Sequence, residues 1–399
     1  MIKNKFRIKN AFLMLLSAVA IAIFTAVFCS FFNYSLIQVT NWRKGLSFWP
    51  FLLLPLVGIC TTWLYQKYGN EEERGNNLII EEIHFSKKKI RFRLVPLIIF
   101  TSLISHFFGA SVGREGVGVQ IGGGIADQFK VQILPRRLIL MMGMSAGFGA
   151  IFYTPFAGAI FGIEVFHSGA LALEGLVPCF ISSYAGFLLA RQLFHHSSEF
   201  PIFNFDLLNS GYLFLSIFLG LYFGIIARFT NFIFHKTKDL FKNYIKSDYL
   251  KSVFGGIFLI LIFFITGSDR YLGLGSNILE KSFYDSVRGF DFLGKIFSTS
   301  ISLAANFKGG EVTPIFFIGA TSGNALATLI RFPISFFVTI GMVSVFAGCA
   351  NVPLTAIILA IELFGTNILF YAMISVLISY LFSGHKGIYS SQMKKYKIF

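Results

Sequence analysis

Residues 109–124 read GASVGREGVGVQIGGG, and residues 308–319 read KGGEVTPIFFIG. Each stretch sets one acidic residue, Glu115 or Glu311, among glycines within apolar surroundings. An ionisable group inside an apolar run is expensive to bury, so it marks a functional position by default. Glycine and proline interrupt a helix, and an interrupted helix presents N–H groups that hold an anion without a full positive charge. Downstream of each stretch comes a second matching pair. Residues 146–164 read AGFGAIFYTPFAGAIFGIE and residues 347–362 read AGCANVPLTAIILAIE. Both open on Ala-Gly, pass through a proline (Pro155, Pro353) and reach a glutamate nine positions later (Glu164, Glu362). The two prolines and the two Gly-flanked glutamates keep nearly the same offset along the chain. The sequence therefore divides into two homologous halves, 1–199 and 200–399.

Composition places both halves in a membrane. Of 399 residues, 55% are hydrophobic and 51 are Phe, and the mean hydropathy is +0.70. Only 13% are charged, against roughly 25% in soluble domains. Apolar runs long enough to cross a bilayer cover 11–38, 45–66 and 209–234, with others at 252–267, 312–330, 334–349 and 366–383. In lipid such runs must be helical, because only a helix satisfies its backbone within the segment. The first run has no small-residue cleavage site and reads as a retained helix rather than a signal peptide.

The net charge of +15 is not a nucleic-acid signature, because the basic residues cluster between apolar runs. The clusters are Lys3, Lys5, Arg7 and Lys9; Lys87, Lys88, Lys89, Arg91 and Arg93; Lys236, Lys238, Lys242, Lys246 and Lys251; and Lys394, Lys395 and Lys397. Positive loops stay in the cytoplasm, which puts both termini there. Segment 196–208 contains no Lys or Arg and is expected outside. The two halves then start on opposite faces, an inverted-topology repeat, which puts a substrate site near the midplane where the halves meet. Cys29, Cys60, Cys179 and Cys349 lack metal-ligand spacing and read as small buried residues. His106, His167 and His385 carry no ligand pattern either, so no metal or cofactor is expected.

The run Gly113-Arg114-Glu115-Gly116, with Val119-Gln120-Ile121-Gly122-Gly123 after it, resembles a signature of the CLC family of anion channels and transporters. The 146–164 stretch resembles that family's Pro-hairpin, Gly309 to Gly319 its third signature, and Gly387-Ile388-Tyr389-Ser390 the C-terminal helix that supplies a pore tyrosine. The resemblance covers nearly the whole chain. It implies an all-α polytopic fold of tilted and broken helices, and a homodimer. As pathway residues it implies Gly113, Arg114, Gly116, Val117, Val312, Thr313 and Tyr389, with Glu115 and Glu311 as gating and proton-coupling groups.

Departures from the family pattern narrow the reading. Arg74-Gly75-Asn76-Asn77-Leu78-Ile79 stands where most relatives carry a Gly-Ser-Gly-Ile-Pro stretch, so Asn76 or Asn77 replaces the pore serine. Val117 replaces a proline, and Glu164 is followed by Val165 where proton-coupled chloride exchangers often have a second glutamate. Together these resemble the fluoride/proton antiporter branch of the family. Fluoride needs strong donors to offset its dehydration, and Asn and Thr supply them. The alternative is a chloride-type carrier or a passive anion channel. An intramembrane enzyme is disfavoured, since the chain has no His-Glu-x-x-His, Gly-x-Ser-x-Gly or paired intramembrane aspartates. Arg114 is also a possible ion-pair partner of Glu115, Thr313 a possible helix cap, and Glu164 and Glu362 read as braces of helix ends. The chain stops about ten residues after Tyr389, so no soluble regulatory domain is expected.

Overall fold

A computed structural model of the chain describes residues 2–194, 200–202 and 209–394. Much of segment 196–208, together with Lys395 and Lys397, lies outside the described residues. So does residue 199, at the boundary drawn between the halves.

The first half runs α1 (Ile2–Lys44), α2 (Trp49–Leu52), α3 (Leu54–Leu64), α4 (Asn76–Phe85), α5 (Leu94–Phe107), α6 (Glu115–Ala126), α7 (Arg136–Phe152), α8 (Pro155–Glu164) and α9 (Leu176–Leu193). The second runs α10 (Ser210–Tyr244), α11 (Asp248–Thr266), α12 (Ser276–Lys281), α13 (Asp291–Ala304), α14 (Val312–Ile330), α15 (Ile334–Ala350), α16 (Pro353–Phe364) and α17 (Leu369–Phe382). The sole strand pairing among the described residues is two residues long, β1 (His167–Ser168) parallel to β2 (Met393–Lys394). It ties the end of the chain to the first half.

Among the described residues, five segments are long and apolar enough to cross a membrane: Asn10–Lys44, Leu173–Leu193, Ser210–Tyr244, Asp248–Thr266 and Val312–Ile330. Their outward faces carry Phe12, Phe214, Ile225 and Ile265, each more than 60% exposed. An aqueous surface of that kind would be an association hazard; in lipid it is the solvent-facing side. The protein is an integral membrane protein. Several other helices are too short to span. At 1.5 Å per residue, the 12 residues of α6 extend about 18 Å, against roughly 30 Å of hydrocarbon.

The run 45–66, expected as one span, is broken. Pro50 and Pro55 each sit in the first turn of a helix, α2 and α3, where the missing N–H is harmless. After Leu64 the backbone widens into a π turn (Tyr65–Gly69) and tightens into a 3-10 turn (Asn70–Arg74) before α4. Asn209 caps α10 by accepting hydrogen bonds from the N–H groups of Gly211 and Tyr212.

Two helical hairpins share one build. α6 packs on α7, and α14 on α15, with backbones so close that only glycine fits. A Cβ on Gly122 would lie 1.9 Å from the carbonyl oxygen of Gly143, and one on Gly319 would lie 2.3 Å from that of Gly341. α7 and α15 both end in a left-handed residue, Tyr153 (φ 60°) and Asn351 (φ 55°), just ahead of the prolines that start α8 and α16. The Glu164 carboxylate accepts from the N–H groups of Leu354 and Thr355 and from Thr355 Oγ1. Glu362 accepts from the N–H groups of Phe156 and Ala157. Each glutamate thus sits in the last turn of its own helix and caps the other's N-terminus, where carboxylates are favoured. The bracing role read for both from the sequence is the geometry found.

Candidate functional site

The halves meet where α6 and α14 begin. Gly113 and Gly310 exchange both backbone hydrogen bonds, an antiparallel bridge that places the two helix N-termini side by side. The contact needs the absence of side chains. A Cβ on Gly113 would come 2.8 Å from Thr313 Oγ1 and 2.9 Å from Pro314 Cδ. A Cβ on Gly116 would come 2.9 Å from both Asn76 Nδ2 and Gly310 Cα. The glycines read as helix breakers are therefore also the surface through which the halves touch.

Glu115, the first residue of α6, is 2% exposed. Its Oε2 accepts the backbone N–H of Thr313 (3.0 Å) and the Thr313 hydroxyl. Its Oε1 receives Arg114 Nε at 3.2 Å. Thr313 Oγ1 in turn accepts the N–H of Arg114 at 3.4 Å. A carboxylate of one half thus occupies the N–H and O–H donors at the helix start of the other. The ion pair with Arg114 coexists with the contact to Thr313.

Glu311 precedes α14 and turns to the other side of the crossing. Its Oε2 lies 3.2 Å from the position a Gly116 Cβ would occupy, next to Asn76 Nδ2. Asn76, 5% exposed, opens α4. Of the two asparagines, it is Asn76 that reaches the crossing. Asn77 instead accepts from Ser390 Oγ (3.3 Å) and the Ser391 N–H (3.0 Å), and so pins the segment that carries Tyr389. Tyr389 is buried, and its phenol lies within electrostatic reach of both Glu115 and Glu311. The helix implied for Gly387 to Ser390 does not form: these residues are irregular backbone after α17. Their carbonyls and N–H groups go to the protein, with Gly387 O facing His235 Nε2 (2.9 Å) and Ile388 N donating to Cys349 O (2.8 Å). Val117 and Val312 are buried among core side chains and line neither cavity described below.

Two cavities approach this crossing from different sides. One, of about 650 Å³, is lined by α1 and the 269–283 segment and reaches Arg114, Glu115 and Thr313. The other, of about 760 Å³, reaches Asn76, Asn77, Gln120 and Glu311, with Lys238, Asp248 and Lys308 in its wall. Glu115 lines the first and Glu311 the second. Lys308 and Gln120 were not singled out from the sequence. Lys308 lies over the Tyr65 ring (4.3 Å) and 3.6 Å from Glu73. The signal for Gln120 is a lone amide, one helical turn after Gly116, within an otherwise apolar helix.

Glu115 and Glu311 each belong to one of the four motifs on which the resemblance rested. The family model for voltage gated chloride channels matches residues 57–384. This chain belongs to the CLC family. A chloride/fluoride channel protein of Pseudomonas syringae pv. tomato is 40% identical over 371 residues, covering 90% of this CLC chain and 82% of the relative. The H(+)/Cl(-) exchange transporter ClcA of Vibrio cholerae is 26% identical, with coverages of 81% and 75%. Among solved structures, a CLC-type fluoride/proton antiporter superposes with a TM-score of 0.93 at 28% identity, covering 96% of this chain and 98% of the other. A slow cyanobacterial Cl-/H+ antiporter superposes at 0.81 with 21% identity, which speaks for the fold alone. The all-α polytopic CLC fold and the ion-transporter class follow.

Proposed function

We propose that the chain is a fluoride/proton antiporter that exports fluoride from the cytoplasm, driven by inward proton flow. The observation that carries this reading is the hold of Glu115 on the donors of Thr313. A carboxylate seated on a helix N-terminus occupies an anion's place. When it takes up a proton it loses its claim on those donors, and an anion takes over. One position then exchanges a proton for an anion, which couples the two flows. Asn76 and Thr313, one from each half, supply donors to a small, strongly hydrated anion, and Glu311 adds a second carboxyl on the far side of the crossing. Two carboxyls close to one anion do not both stay charged cheaply. A protonated carboxyl beside fluoride then donates to it, so proton and anion share one hydrogen bond. The similarity to a CLC-type fluoride/proton antiporter supports the choice of ion.

The same reading puts the Glu311 cavity in the cytoplasm, because Lys238, Arg74 and Lys308 surround it. Both termini lie on that face and the Glu115 cavity opens outside. A homodimer is part of the proposal, supported by the exposed apolar side chains Phe156, Val177 and Leu354 on the adjoining helices α8, α9 and α16.

Proteoliposomes loaded with fluoride test it. An imposed proton gradient should drive fluoride against its own gradient, with protons moving the opposite way. Fluoride that moves only downhill, indifferent to the proton gradient, establishes a passive channel. Chloride that exchanges as readily as fluoride establishes a chloride-type carrier.

A further inference from the structure

Three buried oxygens near the crossing make no well-formed hydrogen bond to a described residue: Asn76 Oδ1, Gln120 Oε1 and Glu311 Oε2, the last with the Asn76 amide as a neighbour. They belong to one place. Asn76 Nδ2 and Glu311 Oε2 converge on the position of a Gly116 Cβ, at 2.9 and 3.2 Å. Gln120 is one turn further along α6, on the face that Gly116 presents. Its amide packs against the turn before α4: a Cβ on Gly75 would lie 3.2 Å from Gln120 Nε2 and 3.4 Å from Oε1. All three side chains line the cavity of about 760 Å³. Asn76 and Gln120 are 5% and 4% exposed, so bulk solvent does not serve them freely.

Buried acceptors of this kind are satisfied by ordered water, and a water needs two to four polar partners. We propose that Gln120, Asn76 and Glu311 hold a single water, and that Gln120 is a positioning residue for proton transfer between Glu311 and the inner cavity. The proposal rests on the antiporter reading above. In the transfer, the O–H bond of protonated Glu311 breaks and its electron pair stays on the carboxylate. The proton forms a new O–H bond on the held water. The resulting hydronium passes one proton to water in the cavity, and the site returns to a neutral water beside an ionised Glu311. Gln120 Oε1 accepts a hydrogen bond from the held water and fixes its orientation.

The test uses Gln120→Met and Gln120→Glu in the full-length protein, with fluoride and proton fluxes recorded together. Gln120→Met should slow coupled turnover by about 10- to 100-fold while fluoride binding, measured by calorimetry, stays within a few-fold. Gln120→Glu keeps an acceptor at the same place and should recover most of the rate. A solvent deuterium isotope effect on fluoride flux should be larger in Gln120→Met than in the parent, which a merely structural loss does not produce. Parental turnover and isotope effect in Gln120→Met overturn the proposal. Should that variant fail to fold, a high-resolution structure of the parent decides. A water within hydrogen-bond distance of the three oxygens supports the proposal, whereas no ordered species there, or one that requires sodium in the buffer, overturns it. A parent that exchanges no protons for fluoride sinks the antiporter reading instead, so the two failures are distinguishable.

Discussion

At the scale of single residues the site is a contest for donors. Glu115 is seated by the Thr313 N–H and hydroxyl and by Arg114. Its amide analogue copies the neutral carboxyl in shape but has no proton to release. Glu115→Gln should therefore abolish proton movement linked to fluoride; simultaneous proton and fluoride electrodes on liposomes read this directly, and uphill proton pumping in the variant refutes the gate. Thr313 makes a second case. Its hydroxyl both accepts the Arg114 N–H and donates to Glu115. Removing one such partner from a buried site costs about 1–3 kcal/mol, or roughly a 5- to 150-fold change in rate if it is all felt in transport. Thr313→Val should slow initial fluoride efflux within that range, and Glu311→Ala should nearly abolish it. Equal amounts of monodisperse protein in the liposomes keep folding out of the comparison. Normal efflux in both variants would leave the second half with no role as donor.

At the scale of elements, the reciprocal caps on α8 and α16 are the most specific structure outside the site. Glu164 closes the start of α16 and Glu362 the start of α8. Each carboxylate stabilises two N–H groups and the positive end of a helix, together worth about 1–2 kcal/mol. Glu362→Ala should lower the thermal midpoint in detergent, and Glu164→Ala should lower it at least as far, since Glu164 also loses Thr355 Oγ1. Neither should alter the ratio of protons to fluoride. A changed ratio at an unchanged midpoint would make these residues part of the proton path rather than braces. The glycine contacts of the α6–α7 and α14–α15 hairpins act at the same scale, because helices this short and this close leave no room for a methyl group.

Across the whole molecule, two cavities reach the crossing of α6 and α14, one to Glu115 and Thr313 and the other to Asn76 and Glu311. The proposed orientation in the membrane is an argument from charge. The wall of one cavity carries Arg74, Lys238 and Lys308, and segment 196–208, on the opposite side in the proposed topology, has no Lys or Arg. A cysteine introduced at Ser197 should react with an impermeant thiol reagent added to intact cells, and one at Ser391 should not. The reverse pattern would invert the transporter and with it the direction assigned to fluoride.

Much of this was written along the chain. The two Gly-flanked glutamates and the two Pro-to-Glu stretches are the basis of the proposed repeat, since a membrane tolerates charge and broken helices only where they serve a purpose. Four apolar runs carried spanning helices, whereas 334–349 and 366–383 form shorter helices, Leu173–Leu193 was not foreseen, and the broken run 45–66 turned on where Pro50 and Pro55 fall in their helices. Other features had no local signal. Neighbouring asparagines look alike in sequence, and only packing sends Asn76 to Glu311 and Asn77 to Ser391. The irregular path through Tyr389 depends on partners far away, Cys349 and Asn77 among them. The isolation of Gln120 Oε1 likewise comes from which elements surround it. The sequence by itself determined the family, the membrane setting and the identity of the two carboxyls, since these are properties of composition and spacing. Only the tertiary structure decided which donor faces which carboxyl, because that depends on how two halves, remote in sequence, close on one another through glycine.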